Sequence, residues 1–400
     1  MKVDQGEVED GAERAWERLE ILGGLSDEAG RLTRVFGERG MAAAGQRVKE
    51  WMEEAGLHTA RDGWGNVFGR TPGKEGLPVV VIGSHLDTVR DGGKYDGALG
   101  VVAAVEAVAR VGREGWQGWP FAVEVAAFSD EEGARFQTTY LGSRAALGRI
   151  EAGDLERRDE QGVRVADLVP EGERRPNPRF VQGEVAAYLE VHIEQGPVLE
   201  AAGLSLGIVS EIAGQTRARV EFVGRAAHAG TCPMNLRRDA LAGLAEWVLQ
   251  VEAVGRARAG LVATVGWVEV DHGASNVVPG RAWATLDVRH GDNRVREEAV
   301  KELRDRAEEV ARRRSLGMGM EVVQENGAVA CDAGLRGILA ESVREVQGQV
   351  LELVSGAGHD AVPMSGVAPV GMLLVRCRGG ISHHPEESVL REDVGLAVKV

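Results

Sequence analysis

Five short segments each set ionisable side chains beside an apolar run. His85 stands in GSHLDT, directly after PVVVIGS at Pro78–Ser84. Asp87 lies two residues on, so in an extended segment it points the same way as His85 and can orient the imidazole. The competing reading is a turn with a polar cap. Asp96 stands in GGKYDGALG, where glycines allow close backbone approach to a ligand, although an N-cap aspartate fits the same string. Glu131 and Glu132 follow Phe128 in FSDEEGARFQTTYLGS. Adjacent carboxylates raise one another's pKa, so a metal that holds one ionised leaves the other for general base work. A solvated acidic loop is the alternative, and the apolar run ahead of the pair opposes it. His192 lies in YLEVHIEQGPVLE, and His383 and His384 lie in GGISHHPEESV. One histidine at a strand end is more often a hydrogen-bonding residue than a ligand, but recurrence in one chain changes the balance. Three histidines with two carboxylates form a nitrogen and oxygen set suited to zinc, manganese or cobalt. Two such cations sharing one carboxylate would activate a water for hydrolysis.

Other chemistries find no support. The chain has no His-Glu-x-x-His and no GxxxxGK[ST] string. His58, His272 and His290 lack supporting neighbours and read as surface or packing residues.

The apolar runs before these residues are the elements that must position them. Pro78–Ser84 and Phe121–Phe128 read as strands buried on both faces, and Gly97–Arg110 as a helix between them. Met41–Ala55 carries Val48, Trp51, Met52 and Ala55 at helical spacing. Such alternation predicts an α/β sheet with parallel members. From about residue 213 the order changes to strand 216–224, helix 236–254, strands 261–270 and 281–289, helix 294–314 and strand 318–324. That βαββαβ order is the ferredoxin-like plan, expected as an insertion at 213–328 in a domain formed by 1–212 and 329–400. Leu351–Val354 and Val370–Cys377 read as strands returning to the first sheet.

A chain of 400 residues also favours two domains over one core. With 62 acidic and 47 basic side chains its formal charge is −15, which disfavours nucleic acid as a partner. Cys232, Cys331 and Cys377 stand far apart and suit neither a disulfide framework nor a thiolate zinc site. Reduced thiols point to the cytoplasm. The acidic N-terminal segment does not read as a signal peptide, and no run is long and apolar enough for a membrane span.

Together HLDT, KYDGALG, SDEEG, EVHIEQGP, HAGTCPM, SGAGHDA and GISHHPEES resemble the M20 metal-dependent amidohydrolases, within them the allantoate amidohydrolase and N-carbamoyl-amino-acid hydrolase branch. The motifs span Gly83 to Ser388 in the family's order, and the longer strings look closest to the plant-type allantoate enzymes. The resemblance implies a di-metal aminopeptidase-like catalytic domain with an inserted lid and dimerisation domain. It implies two divalent cations, manganese expected, with zinc, cobalt or nickel as alternatives. Asp96 would be shared, His85 and His192 would complete one site, and Glu132 with His383 the other. Glu131 would be the general base. The Ser-His-x-Pro pattern of the family matches His383 and puts His384 at the variable position. His228, Asn276 and Arg289 of the inserted domain would steady an oxyanion, meet a ureido group and clamp a carboxylate, with Gln195 and Gly358 as further contacts. The implied activity is hydrolysis of a linear ureido C–N bond in a homodimer, of allantoate or alternatively of an N-carbamoyl-L-amino acid. A metal-binding protein without catalysis is the reading from another class.

Overall fold

The computed structural model describes residues 5–400 other than 114 and 117. It divides into two compact units, one built from residues up to Ser210 with Cys331–Val400, the other from Glu211–Ala330.

In the first unit the sheet runs in the order His58–Arg61, Val67–Arg70, Ala122–Phe128, Val79–His85, Val185–Ile193, Val370–Val375 and Leu206–Ile212, with Glu352–Ser355 also beside Leu206–Ile212. Four neighbours at its centre are mutually parallel. Every residue of Ala122–Phe128 and Val370–Val375 is buried, all apolar except the ion-paired Glu124, as strands covered on both faces must be. The helix Ala98–Gly112 packs beside them, and ten of its residues are buried. An almost wholly apolar helix of this kind is stable only between other elements. Its N-cap is Gly97, at φ 64°, with no side-chain cap. The N-cap alternative for Asp96 is thereby corrected. Only glycine tolerates that left-handed conformation without strain, which frees the carboxylate next to it.

The second unit carries its own sheet, in the order Val268–Val270, Arg281–His290, Gly214–Val223, Gly317–Asn326, all antiparallel. Helices Ala240–Arg256 and Asn293–Arg314 cover it, each capped by an aspartate whose side chain accepts a backbone N–H. Helix 236–254 starts later than its periodicity predicts, at Ala240, because Met234–Leu236 forms a 3-10 turn and Asp239 is the cap. The strand expected over 261–270 is two pieces, Val262–Thr264 and Val268–Val270, both against Arg281–His290. Trp247 is fully buried here and donates from Nε1 to Leu303 O at 2.9 Å. Trp247→Ala is expected to destabilise this unit by about 3–5 kcal/mol. Urea unfolding followed by circular dichroism checks this, and an unchanged midpoint contradicts it. Among the described residues no helix is long and apolar enough to cross a membrane.

Candidate metal centre

The parallel strands deliver the acidic and imidazole groups to one end of the sheet. His85 closes Val79–His85 and lies in register with Phe128, which leads into Glu131 and Glu132. His192 pairs with Leu374 near the ends of their two strands, and the loop after Val375 carries His383. Loops at the carboxyl ends of parallel strands are where α/β sheets bind ligands, because backbone direction there converges side chains from several connections.

His192 Nε2 is 3.1 Å from Asp96 Oδ1, and His85 Nε2 is 3.7 Å from it. His383 Nε2 is 3.1 Å from Asp96 Oδ2 and 3.3 Å from Glu132 Oε1. Three groups, His85–Asp96–His192, His85–Glu131–Glu132 and Asp96–Glu132–His383, each hold their donor atoms within 4.8 Å of one another. His384 stays outside, exposed and 4.0 Å from Glu386. The Nδ1 atoms of His85 and His192 face the carbonyls of Asp87 and Ile193 at 3.1 and 2.9 Å. A carbonyl only accepts, so each Nδ1 carries the proton and each Nε2 presents a lone pair. Those two Nε2 atoms lie 3.5 Å apart, and the buried Asp96 Oδ1 beside them receives no directed hydrogen bond. Two lone pairs and an orphaned carboxylate oxygen at such range repel one another unless a cation sits among them. The residues present therefore fit divalent metal ions.

Support comes from further out. The Asp87 carboxylate is 3.4 Å from His85 Nδ1 and accepts the backbone N–H groups of Glu131 at 3.0 Å and Glu132 at 3.1 Å. It thus ties the histidine loop to the carboxylate loop. Arg34, wholly buried, donates from Nε to Leu86 O at 2.8 Å, while its backbone pairs with Thr88. Burial lowers its pKa to about 10. His359 packs its ring 4.4 Å from that of His192, and Glu190 accepts from Ser84, Tyr188 and Ala361 beneath. Sequence reasoning missed Arg34 and His359. SGAGHDA contains His359, but its contact with His192 exists only in the fold. Gln195 donates to Asp96 Oδ2 at 3.1 Å, and Gly358 lies against the Tyr140 hydroxyl. Asp130, Gln195 and His383 all adopt φ between 51° and 57°, so backbone strain gathers at this site.

In the second unit Val277 pairs with His228, which brings His228 beside Asn276, whose carbonyl accepts from Ala229 N at 2.8 Å. Arg289 lies on a different sheet, and Asp287 holds it in two parallel hydrogen bonds of 2.9 Å. That carboxylate shows how the guanidinium fork presents itself to an acid.

Burial pushes the Glu131 carboxyl well above the usual range, with Glu132, Asp360 and Asp87 adding to it against His85. Burial likewise raises Asp130 and Asp360. Burial would raise Asp96 too, but in the cation-free protein protons on the His192 and His383 rings hold it well below. Hydrogen bonds to Asp96 and Glu132 push His383 up to about 10. A group raised above its unfolded value stabilises the fold below that unfolded pKa, about 6.5 for histidine, and the contribution is lost as pH climbs through the folded value. Glu131, Asp130 and Asp360 are also raised and act in the same direction. The cation-free protein is therefore expected to melt at progressively lower temperature from about pH 6.5 to 10. Calorimetry across that range checks it, and a rising melting temperature contradicts it.

Gly97 offers a geometric test. A Cβ there would overlap the His85 ring. Gly97→Ala is expected to displace that ring and lower kcat/KM by roughly 100-fold, the scale of a 1 Å misplacement. Wild-type turnover with wild-type metal content would disprove it.

Similarity over most of its length connects this chain to known proteins. The model of Peptidase family M20/M25/M40 matches residues 81–400, from within the His85 strand onward. An allantoate deiminase of Arabidopsis thaliana is 41% identical over 95% of this chain and 79% of its own. An N-carbamoyl-L-amino acid amidohydrolase of Geobacillus stearothermophilus is 38% identical over 97% and 96%. The crystal structure of a hydantoinase/carbamoylase family amidase from Burkholderia multivorans matches with a TM-score of 0.90 at 32% identity, over 97% of this chain and 95% of that one. The family model and the whole-chain similarity agree, and the chain belongs to Peptidase family M20/M25/M40.

Proposed function

We propose that this chain hydrolyses the ureido C–N bond of allantoate, giving ureidoglycine, ammonia and carbon dioxide. Asp96, His85 and His192 would hold one divalent cation, and Asp96, Glu132 and His383 a second. Manganese is the proposed metal. Bound there, the cations supply Lewis acidity, which lowers the pKa of water and polarises a carbonyl oxygen. Glu131 takes the proton of the attacking water and returns it to the leaving nitrogen, while Asp87 keeps the Glu131 turn in place. In the second unit we assign His228 to the developing oxyanion, Asn276 to the ureido group and Arg289 to the carboxylate, in a homodimer. Gln195 and Gly358 complete the contacts.

The observation that carries the reaction is the buried carboxyl of Glu131, its pKa raised by burial, beside a set of metal-suited donors. The substrate rests on allantoate deiminases 40–42% identical to this chain. An N-carbamoyl-L-amino acid is the second reading, favoured by amidohydrolases of that name at 37–38% identity. Both substrates present a ureido group and a carboxylate. After manganese reconstitution, kcat/KM on allantoate is expected to exceed that on N-carbamoyl amino acids. The reverse order establishes the second reading, and no turnover of either rejects both.

A further inference from the structure

We propose that Glu387, to which no role has been given above, is a positioning residue that locks the Asp96 loop to the His383 loop. The inference rests on the metal reading. Glu387 is 4% exposed. Its Oε1 accepts the backbone N–H of Tyr95 at 2.9 Å and of Asp96 at 3.1 Å, and Ser382 Oγ lies 3.0 Å from its Oε2. One carboxylate thereby joins segments almost 300 residues apart in sequence, each carrying a proposed ligand. The seat is shaped for it, because a Cβ at Gly93 would overlap the carboxylate. Among the described residues no lysine, arginine or histidine pairs with Glu387. A buried carboxylate held by hydrogen bonds alone is costly, and a packing role would be served as well by a neutral side chain.

The charge matters through Ser382. Its Oγ also lies 3.2 Å from Asp96 Oδ2 and accepts from Gln195 Nε2 at 3.1 Å. A hydroxyl has one proton to give. With Glu387 as acceptor, that proton is turned away from Asp96 Oδ2, the oxygen facing His383 and Glu132. Glutamine keeps the shape and can still accept from both backbone groups. Its amide, however, would donate to Ser382 and turn the hydroxyl proton onto Asp96 Oδ2, where it competes with a cation.

Titration of metal-free protein with manganese separates the cases. The wild type is expected to bind two ions. Glu387→Gln is expected to weaken one of them by about 10–100-fold, the usual effect of losing an outer partner of a ligand, and to leave the other unchanged. Its metal-free melting temperature is expected to stay at or above that of the wild type. Adding Ser382→Ala should restore affinity to the level of Ser382→Ala alone, a non-additivity that simple packing loss does not produce. Two wild-type affinities in Glu387→Gln overturn the inference. Equal weakening of both ions with a lowered metal-free melting temperature also overturns it, in favour of a general structural role. Should Glu387→Gln not fold, Ser382→Ala alone decides. It removes the Glu387 contact to the His383 loop and should weaken one ion several-fold, and no change overturns the proposal. A wild type that binds fewer than two ions refutes the metal reading itself, and this inference with it.

Discussion

Glu131→Gln is expected to lower kcat by about 10²–10⁴-fold, the usual contribution of a general acid–base group, while both cations remain bound. Glutamine has nearly the same volume, and the main chain at this turn is fixed by the Asp87 carboxylate, which accepts from Glu131 N and Glu132 N. The substitution therefore changes the chemistry and leaves the site's shape. Glu131 is buried, and burial raises its carboxyl well above the ordinary range. That shift brings its pKa closer to that of the proton it must accept and return. Metal content and single-turnover rates should be measured together. Near wild-type turnover rejects the base role. Loss of a cation instead makes Glu131 a ligand, which its place in the His85–Glu131–Glu132 group allows geometrically.

Asp96→Asn is expected to do more damage to metal binding than any other substitution at the site. Its two oxygens face different partners, Oδ1 toward His85 and His192, Oδ2 toward His383. Asparagine keeps the size but loses the charge and one of the two acceptor oxygens. A single change then touches both cation positions. The expected loss of affinity exceeds the roughly 10–100-fold typical of outer partners, and turnover falls with it. Elemental analysis after dialysis checks this, and two cations retained at wild-type affinity would end the shared-ligand assignment.

The apolar strands are legible in the sequence. Pro78–Ser84 and Phe121–Phe128 announce themselves as β-branched or small apolar runs, and they form the parallel centre as Val79–His85 and Ala122–Phe128. Their pattern is local, set by burial on both faces, so a single sequence reveals it. The βαββαβ order of 213–328 was equally readable, and its sheet order follows that plan. Val185–Ile193 is not legible as a strand, although His192 stands on it and it lies between two members of the parallel centre. Its burial does not alternate cleanly, so no period of two stands out.

Residue types and their place after apolar runs pointed by themselves to metal-assisted hydrolysis. That conclusion needed only the coordination preferences of imidazole and carboxylate and the geometry of strand ends. Which atoms face one another was decided by tertiary structure alone. Asp96 is released from helix capping because Gly97 takes the cap position, and the two Nε2 lone pairs converge because separate carbonyls claim the Nδ1 protons. Arg34, His359 and Glu387 could not be read from the chain, since each acts on partners tens to hundreds of residues away. Hydrogen bonds and repulsions act over a few ångströms in space, whatever the separation in sequence. The donor set is thus a property of composition and local pattern, and the charge state and direction of each donor are properties of the fold.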